Sequence, residues 1–458
     1  MKTKEMENNG YTYSLPMLAS FTGKGLLGYS FGPLNQKDFD VYYIEVEKGH
    51  DTFMISKKIT RIYYILVGDG YFTISNKKYN VGPGMLVVVP INVEYCYSGK
   101  MTLIAFANPG WFQSNDIHTK WNPGVVGNTD YAMDRETRIA KLAKTSVFGK
   151  SPLYTYLRIH RRIWHLLPLS FLAFGPIRSY SNCLHRLVRI QRVPTQAFTT
   201  SFLRNKPELE LIRRLVERKS KGDTLRVAVL GCSTGPEAYS VAWRIRSARP
   251  DLKLSLYAVD ISRQAVEVAK AGAYSLTTPQ LTFSNISEGL TTVEIDKLFN
   301  ISGDVMSVKP WIREQINWRV ADAGEPSILE IIGTQDLVVA NNFLEDMYGS
   351  EAERCLRNIA RLVDPYGYLF VSGIDLDIRT KVACELGWTP LQELLEEIHD
   401  GDSLLRRSWP FDDKGLEPIN RRRRDWNVRY AAAFQLVPRS SGHAGKENSL
   451  CPDLAQTA

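Results

Sequence analysis

The rhythm of apolar and polar positions changes twice along this chain. From about Tyr11 to Ala107 the runs VYYIEV, RIYYILVGDGYFTI, KYNV, MLVVVPI, EYCYS and MTLIAFA are short and rich in β-branched and aromatic residues, with Gly, Asn and Pro between them. That spacing predicts a sandwich or small barrel. Asn108 to about Lys150 is polar with scattered Gly and Pro, and reads as a linker. Between Ser151 and Thr200, LYTYLRIHRRIWHLL and CLHRLVRIQ carry apolar residues at helical intervals. They lie among Arg158, Arg161, Arg162, Arg178, Arg186, Arg189 and Arg192, with no acid, which predicts two basic amphipathic helices.

Beyond Thr200 helical and strand patterns alternate: ELELIRRLVE, RVAVLGC, EAYSVAWRIRSA, KLSLYAVDIS, RQAVEVAKAG, DLVVANN, EAERCLRNIARLV, YLFVSG. Strands apolar throughout, each followed by a helix, imply a parallel sheet covered on both faces. The expected organisation is an all-β region over 1–115, a linker over 116–150, a basic helical segment over 151–200, an α/β domain over 201–438 and a disordered tail over 439–458.

At 458 residues two domains are the natural division, and 44% hydrophobic with 23% charged residues is ordinary globular composition. A net charge of +8 is weak support for an anionic partner, and nucleic acid is not expected. Six scattered cysteines with no C-x-x-C pair are expected to be free thiols rather than a zinc site. The N-terminal MKTKEMENNGYTYS lacks the apolar core of a secretory signal, and the apolar stretch Leu166 to Ile177 is too short to span a bilayer. A cytoplasmic protein without membrane insertion is the expectation.

Candidate chemistry concentrates in LGCSTGPEAYSVA, Leu230 to Ala242, at the first strand-to-helix turn of the α/β region. In a doubly wound sheet ligands bind beyond the carboxyl ends of the strands. Gly231 and Gly235 permit close backbone approach, and Glu237 suits a cationic ligand better than a pyrophosphate. Asp260 closes the second strand, where an acid suits a ribose diol; a helix N-cap shared with Ser262 is its plainer reading. Together these residues favour S-adenosylmethionine over NAD.

The order TTSFLRNKPELELI, LGCSTGPEAYSVA, YAVDISRQAVEVAKAGAYSL, INWRVADA, QDLVVANNFLEDM, LVDPYGYLFVSG resembles the CheR-type chemotaxis-receptor methyltransferases over about Ser151 to Leu436. The resemblance implies a Rossmann-like SAM-dependent methyltransferase domain. It assigns Arg204 to the carboxylate of the cofactor's methionine part, Glu237 to its ammonium and Asp260 to its ribose. Asp322 and Ala323, in place of the family's Asn-Leu, would lie by the adenine. Asn341 and Asn342 stand where the family has Arg-Asn, and Asp346 and Met347 where it has Tyr-Phe. Arg204 as a surface ion-pair partner, Asp322 as a helix cap and Asn342 as a turn residue are the plainer alternatives.

By that resemblance the acceptor is a carboxylate, a glutamate side chain of a protein. A small-molecule acceptor is one alternative, and a degenerate SAM-binding module coupled to a sensor is another. No catalytic side chain is assigned, since a carboxylate needs no base for in-line methyl transfer. Trp409, Glu417, Asp425, Trp426 and Tyr430 are candidates to line an acceptor pocket, and Arg421 to Arg424 reads as a solvated turn.

In the β-rich region, YYILVGDGYFTI followed by YNVGPGMLVVVPINVEY resembles a cupin, whose motifs place a G-x-G hairpin turn and a P-x-G turn in this way. Arg61 stands where metal-holding cupins have Glu, and Tyr95 about where they have the last His. No metal is expected there. A ligand cup, a sensor or a dimerisation module remain open for it.

Overall fold

In the computed structural model the period-two runs of the first hundred residues join into one antiparallel sheet. Its strands are β1 (Phe21–Gly23), β2 (Leu26–Ser30), β3 (Asp40–Val46), β4 (Thr52–Ser56), β5 (Thr60–Ile74), β6 (Lys77–Val81), β7 (Leu86–Val89), β8 (Glu94–Asn108) and β9 (Asp116–Trp121). The order is β1-β2-β3-β8-β4-β9, and β5 pairs with β6, β7 and β8. Inward positions such as Ile44, Met54, Ile65, Phe72, Val87, Tyr95 and Leu103 form its core. The structure describes residues 15, 21–23, 25–31, 39–110, 115–126, 152–164, 175–190, 200–275, 289–347, 349–401, 409–411 and 416–437. Most of the expected linker and the whole expected tail, 439–458, lie outside the described residues.

Two expectations for this region need correction. The linker was expected to begin at 116, but Asp116 to Trp121 forms β9, paired antiparallel with β4. DIHTKW alternates in the strand rhythm, and its polar half disguised it as loop. Gly68-Asp69-Gly70 is not a hairpin turn; it lies inside β5, which runs unbroken along β8 with a register shift between Ile65 and Val67. A Cβ on Gly68 would sit 2.2 Å from the Lys100 carbonyl oxygen, so these glycines serve close strand approach.

The chain divides into two units, Met1–Leu153 and Tyr154–Ala458. In the second, the strands are β10 (Thr224–Leu230), β11 (Lys253–Asp260), β12 (Ala273–Ser275), β13 (Phe299–Ser302), β14 (Val305–Val308), β15 (Ile316–Val320), β16 (Gln335–Asn341), β17 (Val363–Ser372), β18 (Thr389–Pro390) and β19 (Ala433–Gln435). The main sheet has the order β15-β11-β10-β16-β17-β19-β18. Its first five strands are parallel, and β19 runs antiparallel to β17. Strand order reverses at β10, whose neighbours are β11 and β16.

Alternate residues of each strand enter opposite cores, which is why these strands read as continuous apolar runs. Val227, Val229, Leu256 and Val339 pack with Leu211, Leu215, Val241 and Ile245 from the helices Lys206–Val216 and Pro236–Ala248. Ala228, Leu230, Val338 and Val371 face Leu356, Ile359, Val382 and Tyr430. The two basic helices expected from Ser151 onward form at Pro152–Trp164 and Gly175–Ile190. Leu157 and Leu184 are buried while Arg158, Arg161 and Arg162 face solvent. No helix of the described residues is long and apolar enough to cross a membrane.

Cys96, Cys183 and Cys232 are free, whereas Cys384 is disulfide-bonded, against the expectation of six free thiols. Spacing along a chain cannot report pairing made by tertiary approach.

Candidate active site at the carboxyl ends of β10, β11 and β16

The glycine turn follows β10 directly. Gly231, Ser233 and Gly235 all have left-handed backbones, with φ of 66°, 48° and 102°. Gly231 has a packing reason too: an added Cβ would lie 2.6 Å from the Phe343 ring. The turn is pinned by Cys232 N–H donating to the Val259 carbonyl at 3.0 Å and Ser233 N–H donating to Asp260 Oδ2 at 2.8 Å. Gly235 is the N-cap of the Pro236–Ala248 helix, so the helix begins with its free N–H groups beside the turn. A ligand anion or dipole meets them there.

Asp260 is buried at the end of β11 and accepts from the Ser233 and Ser262 backbones, each at 2.8 Å. Burial pushes its carboxyl up, and the backbone donors pull against that. It is not the N-cap of the following helix; the Ser262 side chain fills that role by accepting from Ala265 N–H. The Ile261 backbone donor also acts on Asp260, and since a carboxylate has roughly four lone-pair sites, acceptor capacity stays available to a ribose hydroxyl.

Asn341, at the last position of β16, carries the centre of the site. Its Nδ2 donates to Glu208 Oε1 at 2.7 Å and to Glu237 Oε1 at 2.9 Å, and its Oδ1 accepts from Ser372 Oγ at 2.8 Å. Both amide hydrogens are thus committed, and one amide bridges two carboxyl groups. Burial raises Glu208 to about 8, with Glu237 adding to the rise and Asn341 and Arg204 opposing it. Burial likewise raises Glu237 to about 7, although part of its side chain stays accessible.

Sequence reasoning did not single out Glu208. Asn205 caps the Lys206–Val216 helix by accepting from Glu208 N–H at 3.2 Å, so Asn205-x-x-Glu208 looks like a capping box. Instead of folding back to the cap, the glutamate side chain reaches across to Asn341. Ser372, which orients the amide, and Phe343, which seats against the turn, were also not apparent.

The remaining candidates separate. Arg204 lies in the turn before the Lys206–Val216 helix, near enough to act on both carboxyl groups. Asp322 is not a helix cap; its Oδ1 accepts from Gly324 N–H at 2.7 Å in a tight turn after β15, with Ala323 buried beside it. Asn342 has φ 59° and donates its N–H to the Ser372 carbonyl, as the turn alternative anticipated. Asp346 and Met347 lie at the short helical turn Leu344–Asp346 and just after it.

The proposed pocket-lining residues of the C-terminal part mostly hold one another. Arg429 pairs with buried Glu417 at 2.7 Å and with Asp377 at 2.7 Å, and Tyr430 donates to Glu417 Oε1 at 2.8 Å. Asp425 is taken by Arg423, and Trp409 packs its ring edgewise against Trp164. Arg421, Arg422 and Arg424 are exposed in a turn, as expected.

In the first unit Arg61 pairs with Asp116 at 2.5 Å, and Tyr95 meets Tyr63 hydroxyl to hydroxyl at 2.6 Å in an aromatic cluster with Phe72 and Tyr97. Among the described residues no group of three or more His, Cys, Asp or Glu is gathered as metal ligands would be.

A parallel sheet with a glycine turn at its reversal point, an acid ending the next strand and carboxyl groups beside the turn defines a site for a nucleoside-bearing cationic ligand. Residues 199–376 match the family "CheR methyltransferase, SAM binding domain". That stretch is a CheR-type SAM-binding domain, and its cofactor is S-adenosylmethionine. Over 239 residues the chain is 29% identical to an uncharacterized 104.1 kDa protein of Rhodobacter capsulatus, covering 49% of this chain and 22% of that protein. Over 184 residues it is 26% identical to a probable biofilm formation methyltransferase, WspC, of Pseudomonas putida, covering 39% and 40%. The chain therefore spans less than half the length of these curated relatives.

Among solved structures, 24% of the chain is similar to 92% of Pac13, a nucleoside dehydratase, at 22% identity and a TM-score of 0.23. A further 18% identical match, at a TM-score of 0.18, joins 19% of the chain to 67% of the Schizosaccharomyces pombe Cnp3 cupin domain.

The residues at the site suit the cofactor. Within the glycine turn, Thr234 Oγ1 is buried without a hydrogen-bond partner. Asp260 keeps acceptor capacity, and every side-chain acid in reach favours a ligand with positive charge.

Proposed function

We propose that the second unit is a Rossmann-like methyltransferase that transfers the methyl group of S-adenosylmethionine to an acceptor held beside Asn341. The observation that carries this reading is the amide of Asn341, bridging Glu208 and Glu237 at the mouth of a pinned glycine turn. In this reading Arg204 takes the methionine carboxylate, Glu237 its ammonium and Asp260 the ribose, while Asp322 and Ala323 border the adenine. Gly231, Gly235 and Asn342 shape the floor through their left-handed backbones. The cofactor supplies an electrophilic methyl carbon; the protein supplies alignment and exclusion of water.

Family resemblance brings with it a carboxylate acceptor, a protein glutamate. A second reading, an acceptor that carries its own proton, is favoured by Glu208, which adds a carboxyl group where a carboxylate acceptor would be repelled. The two readings differ in pH dependence. A carboxylate acceptor is tolerated while Glu208 is protonated, so its turnover falls as pH rises through about 8. A protic acceptor needs Glu208 ionised, and its turnover rises over the same interval. The first unit fits a cupin-type ligand cup or a dimerisation module.

Calorimetric titration with S-adenosylmethionine, S-adenosylhomocysteine and NAD tests the core of the reading. Binding of the first two and not of NAD is the expected result. Absence of both would sink it, and tight binding with no turnover on any acceptor would make the unit a cofactor-holding regulatory module instead.

A further inference from the structure

Glu208 has no assigned task in cofactor binding, yet it is only 4% exposed and its Oε2 has no hydrogen-bond partner. Its other oxygen is tied to Asn341, so the direction of the carboxyl group is set by a strand end. The charged groups that act on it are Glu237, which repels, and Arg204, which attracts. Once ionised, the free oxygen only accepts, so the partner it then lacks is a donor, and beside a second carboxyl a cationic donor gains most. Glu237 and Glu208 are separated by a single amide. With Glu237 on the ammonium of the cofactor, Glu208 stands at the methionine end, where the reacting sulfonium also lies.

We propose that the free oxygen of Glu208 faces the methyl acceptor, and that this acceptor is a primary amine which gives its proton to Glu208 before it attacks. The inference rests on the methyltransferase reading. The amine arrives as an ammonium ion, attracted by the carboxyl pair, and passes one proton to Oε2. The nitrogen lone pair then forms the N–C bond to the methyl carbon while the C–S bond breaks, its electron pair remaining on sulfur as a neutral thioether. The methylated nitrogen keeps the positive charge, and Glu208 returns its proton to water. A carboxyl group whose pKa stands near 8 is matched to taking a proton near neutral pH.

Sinefungin and S-adenosylhomocysteine are the probes, because sinefungin carries an amine-bearing carbon in place of the sulfonium and so presents an ammonium where the methyl group sits. By calorimetry the intact protein should bind sinefungin about tenfold more tightly than S-adenosylhomocysteine. That preference should grow as pH rises toward about 8. Glu208→Gln should erase the preference while leaving S-adenosylhomocysteine affinity within about twofold. Equal affinity for both probes in the unchanged protein would overturn the proposal, as would a variant that weakens both equally, since Glu208 would then serve the cofactor end. Should the variant not fold, the pH series on the unchanged protein decides: a flat preference overturns the proposal. Failure of the unchanged protein to bind either probe would instead remove the methyltransferase reading on which it rests.

Discussion

Gly231 shows how much a single missing side chain does here. Its φ of 66° disfavours any L residue, and the Phe343 ring occupies the space a Cβ would take. Gly231→Ala is expected to cost about 1–3 kcal/mol of stability and to weaken cofactor binding with it. Thermal unfolding with parallel calorimetry checks both. Asp260→Ala leaves the Ser233 and Ser262 N–H groups buried without acceptors, a loss of about 3 kcal/mol, and removes the proposed ribose acid. Cofactor affinity unchanged in that variant would refute the ribose assignment. Glu208 and Glu237 have folded-state pKa values raised above the ordinary carboxyl range, so they favour the folded protein at low pH. That contribution is lost as pH rises through about 7 and about 8. Glu208→Gln should therefore gain melting temperature relative to the unchanged protein at pH above 8, and gain little at acid pH.

At the scale of elements, a glycine pair can mean a turn or a close approach of strands, and only pairing decides. Gly68-Asp69-Gly70 lies within β5, opposite Gly99 to Met101 of β8. A Cβ on Gly99 would meet Gly70 Cα at 2.4 Å, so Gly99→Val is expected to lower the unfolding temperature of the first sheet, read by circular dichroism. The helix Trp426–Tyr430 carries a different kind of constraint, since Arg429 holds buried Glu417. Arg429→Met should destabilise by about 3–5 kcal/mol by leaving that carboxylate buried without its cation, measured by denaturant unfolding. From sequence these residues looked like pocket lining because acids and aromatics near a site resemble each other whichever way they point. The β-strand at Asp116–Trp121 was hidden for a related reason: a strand with polar alternate residues resembles a loop until its partner is known.

At the scale of the molecule, two units of different secondary structure share one chain. A ligand that binds only the folded second unit adds about 2.7 kcal/mol to it at a hundredfold excess over Kd. Differential scanning calorimetry is expected to resolve two transitions, with S-adenosylhomocysteine raising the one that belongs to the α/β unit. The sequence by itself determined the change from period-two to alternating α/β pattern, the parallel sheet, the glycine turn and the positions of Glu237, Asp260 and Asn341, because each is a local signal of backbone conformation or burial. Only the tertiary structure decided that β10 is the reversal strand between β11 and β16, and that Glu208 reaches from one helix to the end of another strand. A side chain that passes over its own cap to meet an amide 133 positions away leaves no periodic trace, since the partner is selected by sheet order rather than by spacing.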